Sequence, residues 1–271
     1  PGYPGDRNNS NNFADARFFH PQQRDLGYIR YQALDPIVGI DALTFTASYN
    51  RQREVQTRGV PTTRFQETDV ETVGLQMVAT RDFGWVGQLT GGADWYHDDV
   101  DSPFGGSASG PIIPDDAFYE RMGVFLNWNV DIAPRLIGSA GVRYENIDLA
   151  ATPVVMGTPV YIAPSYNDWA GQVGLVYELL PDLNLVGSIS EGFRAPNLDE
   201  LTGNNPNVLQ EGMDLPSLGL IPERSISYEV GLKSNSSRFR SQLFVYWMDL
   251  EDNIVPISAG PNMFTRANQD S

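Results

Sequence analysis

Alternation with a period of two residues runs through most of this chain and constrains its fold more than any other feature. In "VETVGLQMVAT", Val73, Leu75, Met77 and Ala79 fall on one face; Thr72, Gly74, Gln76 and Thr80 fall on the other, with Val78 the exception. In "ERMGVFLNWNV", Met122, Val124, Leu126, Trp128 and Val130 oppose Arg121, Gly123, Asn127 and Asn129. "DWAGQVGLVYEL", "RSISYEVGLK" and "FRSQLFVYWMD" repeat the pattern. Each is a β-strand with one apolar and one polar face. Roughly ten strands are expected, over 24–34, 40–54, 66–82, 85–99, 117–131, 135–148, 167–179, 182–193, 224–233 and 237–252.

The connections alternate in length. Short ones ("ALDPIVGI", "DFG", "APR", "LPD", "SNSS") take turns with long ones near 51–66, 99–117, 149–167 and 194–223. Several strands run well past the usual length of about 5–6 residues, and many end in aromatics such as Tyr49, Trp95, Tyr144, Trp169 and Trp247. Long strands, aromatic ends, short turns on one rim and long loops on the other describe an antiparallel transmembrane β-barrel of the bacterial outer membrane, with periplasmic turns and extracellular loops. Hydrocarbon offers no hydrogen-bond partners, so a sheet crosses it only when closed. The polar face, with Arg121, Arg143, Glu145, Glu178, Glu229 and Arg240, suits a wet or plugged lumen and would be costly in a dry core. A soluble β-sandwich or propeller is the competing architecture.

Composition narrows the function. The formal net charge of -16 argues against nucleic acid, which needs a basic face. There is no cysteine, hence no disulfide and no thiolate metal site. The opening "PGYPGDRNNSNN" reads as the middle of a loop rather than a signal peptide. With 1–23 and 253–271 both read as long-loop segments, the expectation is that residues 1–271 are part of a single barrel domain, with a plug domain and further strands outside them.

Three segments carry a resemblance. "SEGFRAPNLDEL" (190–201) ends a strand in a "GFRAP" box, "LPSLGLIPERSISYEVGLK" (215–233) opens the next strand after a "PE" box, and "FVYWMDLEDNIVP" (244–256) closes an aromatic strand on "D-x-I". In that order and spacing they resemble the TonB-dependent outer-membrane receptors. "FFHPQQRDLGYIRYQ" and "DWYHDDVDS" also look like strands of that family. The resemblance implies a larger barrel of about 22 strands that surrounds a plug domain. It implies active uptake of a metal chelate or other small nutrient, driven through that plug by the TonB energy-transducing complex. An iron–siderophore complex is the expected ligand class on family frequency; haem, cobalamin, a glycan and a passive porin-like barrel are the alternatives.

Candidate binding residues lie at the long-loop rim: Arg194, Asn197, Asp199 and Glu200 in and after the "FRAP" box, and Trp95 and His97 in "DWYHDDVDS". Phe193 suits an interfacial ring, Pro196 ends a strand ladder, and Arg194 can brace the loop through Asp199 or Glu200. His97 with Asp94, Asp98, Asp99 and Asp101 offers metal-ligand chemistry. Strand alternation puts Trp95, His97 and Asp99 on one face and Asp94, Tyr96 and Asp98 on the other, so a solvated strand end is the reading and no metal site is expected. "NNPNV" (204–208) follows, but 197–223 holds no histidine, which lowers the haem reading. No paired catalytic carboxylates, nucleophile triad or phosphate loop stand out, so neither an enzyme nor a bound cofactor is expected.

Overall fold

The computed structural model describes residues 17–58, 64–102, 104–105, 113–203, 206–207, 212–236 and 239–270. Ten long strands form one antiparallel meander: β1 (Arg17–Ile37), β2 (Ile40–Arg58), β3 (Arg64–Asp82), β4 (Gln88–Asp101), β5 (Ala117–Ala133), β6 (Leu136–Ala150), β7 (Ser165–Leu180), β8 (Leu183–Arg194), β9 (Glu223–Asn235) and β10 (Arg240–Glu251). Each pairs with its neighbours in sequence, without a crossover. Strand lengths run from 12 to 21 residues, more than the roughly 9–11 that a tilted strand needs to span a bilayer.

The alternation becomes a physical separation. Val73, Leu75 and Met77 on β3, Met122, Val124, Leu126 and Trp128 on β5, and Val173, Leu175 and Tyr177 on β7 are all exposed. Cross-strand register joins them into rows, such as Trp128, Ala140, Val173, Ile189, Tyr228 and Trp247. No second layer covers this apolar face among the described residues. The opposite face carries serine, threonine, glutamine and charged side chains, including Ser139, Arg143, Glu145, Gln172, Ser188 and Glu229. A stacked sandwich would have buried the apolar rows; this wall leaves them bare.

The buried core lies elsewhere. Val100, Ala117, Leu149, Ala151, Leu198, Leu201 and Leu220 form one cluster, with Tyr119, Ile162, Tyr166 and Ile254 packed against it. Val100, Ala117 and Leu149 belong to the polar face of β4, β5 and β6 by alternation, at their long-loop ends. The other members come from the connections.

Several sequence expectations need correction. Strand β1 begins at Arg17, so 17–23 are strand rather than loop, and with β2 running to Arg58 and β3 starting at Arg64 the long connection expected near 51–66 is mostly strand. Residues 253–271 are not simply loop: β11 (Asn253–Gly260) and β12 (Met263–Gln269) form a hairpin in a separate small sheet, in which β12 also pairs in parallel with Gly212–Asp214. The turn is set by Pro261 and Asn262, the latter at φ 54, a conformation that asparagine tolerates. Strand β4 starts at Gln88 rather than 85, because Gly84–Val86 form a 3-10 turn. The segment "PGYPGDRNNSNN" lies outside the described residues.

Candidate functional site at the long-loop rim

Strand β8 stops where "GFRAP" predicts. Phe193 and Arg194 are its last two residues, paired with Arg224 and Glu223 at the start of β9. Ala195 and Pro196 follow, both buried, and proline offers no N–H to extend the ladder. Asn197 then caps a short helix, α1 (Leu198–Thr202). Its Oδ1 accepts the Glu200 N–H at 2.8 Å, and Glu200 Oε2 accepts the Asn197 N–H at 3.0 Å. This reciprocal box satisfies two donors that a helix start leaves open.

Arg194 ties this corner to the returning chain. Its Nη1 donates to both Glu200 carboxylate oxygens, at 3.0 and 2.9 Å, while its Nε donates to Glu223 Oε2. The other oxygen of Glu223 accepts the Ile254 N–H of β11 at 2.6 Å. One guanidinium and one carboxylate thus fasten the end of β8, helix α1, the start of β9 and the start of β11. Planar, fixed-charge geometry is what makes arginine suited to bridging two carboxylates.

A second set of bonds fixes the hairpin over α1. Arg266 Nη2 donates to Asp199 Oδ2 at 3.2 Å. Ser217 Oγ accepts the Arg266 N–H at 2.7 Å, and the Ser217 N–H donates to the Leu201 carbonyl at 2.8 Å. Asn268 reads both backbone groups of Ile221, accepting its N–H at 3.0 Å and donating to its carbonyl at 2.8 Å. Loss of water around Asp199 raises its carboxyl above the ordinary value; Arg266 pulls it down, and the Asp214 and Glu200 carboxylates push it up.

Further along the polar face, Arg143 reaches from β6 across β5 to β4. It meets Asp94 through two bonds of 2.8 and 3.0 Å and Glu145 through one of 3.0 Å. Gly123 makes the crossing possible, since a Cβ there would fall 2.0 Å from Arg143 Nη2. Arg121 lies over the Tyr96 ring at 4.9 Å.

Of the six candidate residues, the structure joins four. Arg194, Asn197, Asp199 and Glu200 share one network, and Arg194 pairs with Glu200 rather than with Asp199. Trp95 and His97 do not reach it. They sit on the apolar face, where His97 stacks between Trp95 and Phe118 at 6.0 and 5.6 Å and contacts Glu120 and Asp99 through its two nitrogens at 3.2 and 3.3 Å. Asp94 lies on the other face with Arg143, so the split of "DWYHDDVDS" is as alternation predicts. No group of three or more His, Asp or Glu residues is arranged to hold a metal among the described residues.

Glu223, Arg266 and Asn268 complete the network and escaped the sequence reading. Glu223 could have been found as the acidic residue of the "PE" box. Arg266 and Asn268 give no signal in the sequence, because the segment around them, with Pro256 and the Gly-Pro-Asn turn, has the composition of a loop.

The geometry is that of a braced corner at the long-loop rim, in which Arg194 and Glu223 tie four chain segments together. A family model described as "TonB dependent receptor-like, beta-barrel" matches residues 1–271. Among solved structures, the hemophore receptor HasR of Serratia marcescens, in complex with its hemophore HasA and heme, is 14% identical with a TM-score of 0.75, over 95% of this chain and 45% of that one. The copper transporter OprC is 14% identical at TM-score 0.76, over 95% and 43%. The FrpB iron transporter of Neisseria meningitidis is 14% identical at 0.67, over 94% and 39%. The chain therefore spans under half the length of these structures, and at such identities the likeness shows the fold alone: ten strands of an outer-membrane barrel wall.

Proposed function

Since this chain belongs to the TonB-dependent receptors, transporters of the outer membrane of Gram-negative bacteria, we propose that it forms part of a receptor for active uptake of a scarce nutrient, and that this nutrient is an iron–siderophore complex. Family membership across residues 1–271 carries the reading. The iron-transporter description of FrpB supports the ligand class. In this reading the apolar face meets lipid tails and the polar face looks into the lumen. Uptake is coupled to TonB through a plug domain.

Ligand contact falls to the loop between β8 and β9. Asn197, Asp199 and Glu200 present α1 to the mouth, and Arg194 holds it at a fixed height above the wall. Trp95 and His97, on the lipid side, enter as rim residues of the membrane interface and not as ligand contacts.

Deletion of the gene in its host, followed by uptake of radiolabelled ferric siderophores under iron limitation, tests the proposal. A specific loss of uptake of one chelate, restored by the wild-type gene and not by Arg194→Ala, is expected. Unchanged expression and unchanged chelate uptake under iron limitation would overturn the siderophore assignment.

A further inference from the structure

The wall is not zipped along its whole height. The register between β7 and β8 ends at Gln172 and Ser190. Beyond that level β7 stays paired with β6 as far as Ser165 and Asp148, and β8 with β9 as far as Arg194 and Glu223. The two strands therefore separate over their last few residues at the long-loop rim. The wall forks there into a β6–β7 leaf and a β8–β9 leaf.

Side chains fill the fork where a ladder would otherwise run. Glu191 Oε2 accepts the Gly171 N–H at 2.9 Å, and Asp168 Oδ1 accepts the Trp169 N–H at 2.8 Å. A Cβ at Gly171 would stand 3.2 Å from Glu191 Oε2, so glycine gives that carboxylate its room. Asp168 Oδ2 also accepts from Arg224 Nε of β9 at 2.7 Å, and the Tyr166 hydroxyl donates to the Leu220 carbonyl at 3.2 Å. The carboxylates cover donors that an open strand edge leaves bare. As fasteners they are weak, because the Arg224 side chain is 60% exposed and such pairs contribute little.

The rim cap belongs to the β8–β9 leaf. Arg194 and Glu223 fasten α1 and β11 to the ends of β8 and β9. Towards the other leaf the contact is apolar: Leu198, Leu201 and Leu220 share a cluster with Val100, Ala117, Leu149 and Ala151. No backbone–backbone hydrogen bond joins α1, β11 or β12 to β4–β7 among the described residues. The cap is thus braced on one side of the fork and merely rests on the other.

We propose that the fork is a hinge line, along which the outer ends of β8 and β9 swing away from β7 and carry the cap off the polar face as one body. Such a lid opens by parting side chains, with no strand ladder to unzip between β7 and β8, and so belongs to the low-stability end of the fold. The moving part is a leaf of the wall, not a loop on a fixed wall. That its opening admits a nutrient to the lumen rests on the transport reading; the motion itself does not.

The test is a distance measurement on the full-length receptor in lipid nanodiscs, with no nutrient added. Residues 1–271 contain no cysteine, which suits paired spin labels. Tyr161→Cys with Ile221→Cys reports across the fork, and Ile221→Cys with Ala259→Cys reports within the cap; all three positions are exposed. The otherwise unaltered receptor should show a short cross-fork distance. Adding Glu191→Ala and Arg224→Ala together should raise a longer population several-fold. Glu191→Gln, which keeps an oxygen for the Gly171 N–H, should stay near the unaltered receptor. The within-cap distance should hold throughout. Should the double variant fail to assemble, Arg224→Gln decides, since that side chain is mostly exposed; it should raise the longer population by a smaller factor. A cross-fork distance unchanged by loss of these bonds overturns the proposal. So does a within-cap distance that lengthens in step, which would mean a loop moving on a fixed wall. Failure of the siderophore assignment would leave all of these distances as they are.

Discussion

The wall and the rim cap solve the burial problem in opposite ways. The wall from β1 to β10 turns its large apolar side chains out, leaving Leu175 51% and Trp247 68% exposed to anything but protein. The cap buries its leucines against one another, with Leu201 at 0% and Leu149 at 1%. The wall relies on lipid as its apolar phase, and its backbone is satisfied strand to strand. The cap works in water and must make its own dry interior. Stability in the first region therefore depends on what surrounds the molecule, and in the second on how the loops fit.

The sharpest test of the cap is Leu201→Ala. Leu201 is fully enclosed, so truncation should cost about 3–5 kcal/mol. The loss should appear as faster hydrogen exchange across 215–221 and β12, with wall strands unchanged. Exchange rising equally in β5 and β6 would merge the two regions into one cooperative unit. The wall is tested by Leu175→Arg. In a wet setting a half-exposed leucine accepts arginine at little cost; at the bilayer midplane the same change costs about 2–4 kcal/mol. Urea titration of refolding into lipid vesicles measures it, and a cost near zero would mean that this face does not meet hydrocarbon.

Arg194→Ala comes next. It strands the Glu200 and Glu223 carboxylates, and because the guanidinium is partly exposed the loss should be about 1–3 kcal/mol, confined to α1 and the first residues of β9 and β11. Exchange protection of the Ile254 amide is the readout. Arg194→Lys should restore little of it, since an ammonium lacks the planar fork.

Asp199→Asn should have the smallest effect, under about 1 kcal/mol. The Asp199 carboxyl is raised in the fold, so its contribution to stability is fully present below the unfolded value of 3.8 and fades as pH rises through the folded value. The cap of the wild type should therefore gain protection as pH falls from the folded value towards 3.8. The asparagine variant should lose this gain; an unchanged pH profile of exchange in 198–202 would exclude Asp199 as its source.

How much could be read beforehand follows the same division. Wall strands are legible because one periodicity holds over a dozen or more residues: the observed spans of β2 and β5 extend the expected ones by a few residues, and β8 is displaced by one. The cap has no period. Its helix is only five residues long, although the "N-L-D-E" box that starts it can be recognised. The hairpin of β11 and β12 was missed because Pro256 and the Gly-Pro-Asn turn look like loop, and because its partner strand 212–214 is far off in sequence. Among the site residues, Arg194 and Glu200 announced themselves through the motif, whereas Arg266 acts only by virtue of a tertiary contact that no local pattern encodes.

Glu223 gives one carboxylate oxygen to Arg194 and the other to the backbone of Ile254. Two stretches far apart in the gene thereby become a single inheritable cassette. A receptor re-engineered by transplanting 197–222 alone would keep Arg266 and Asn268 facing a stranger, and the graft should sag. Exchanged together with 252–270, the pair should travel intact, so that selectivity would evolve or be redesigned by matched swaps and not one loop at a time.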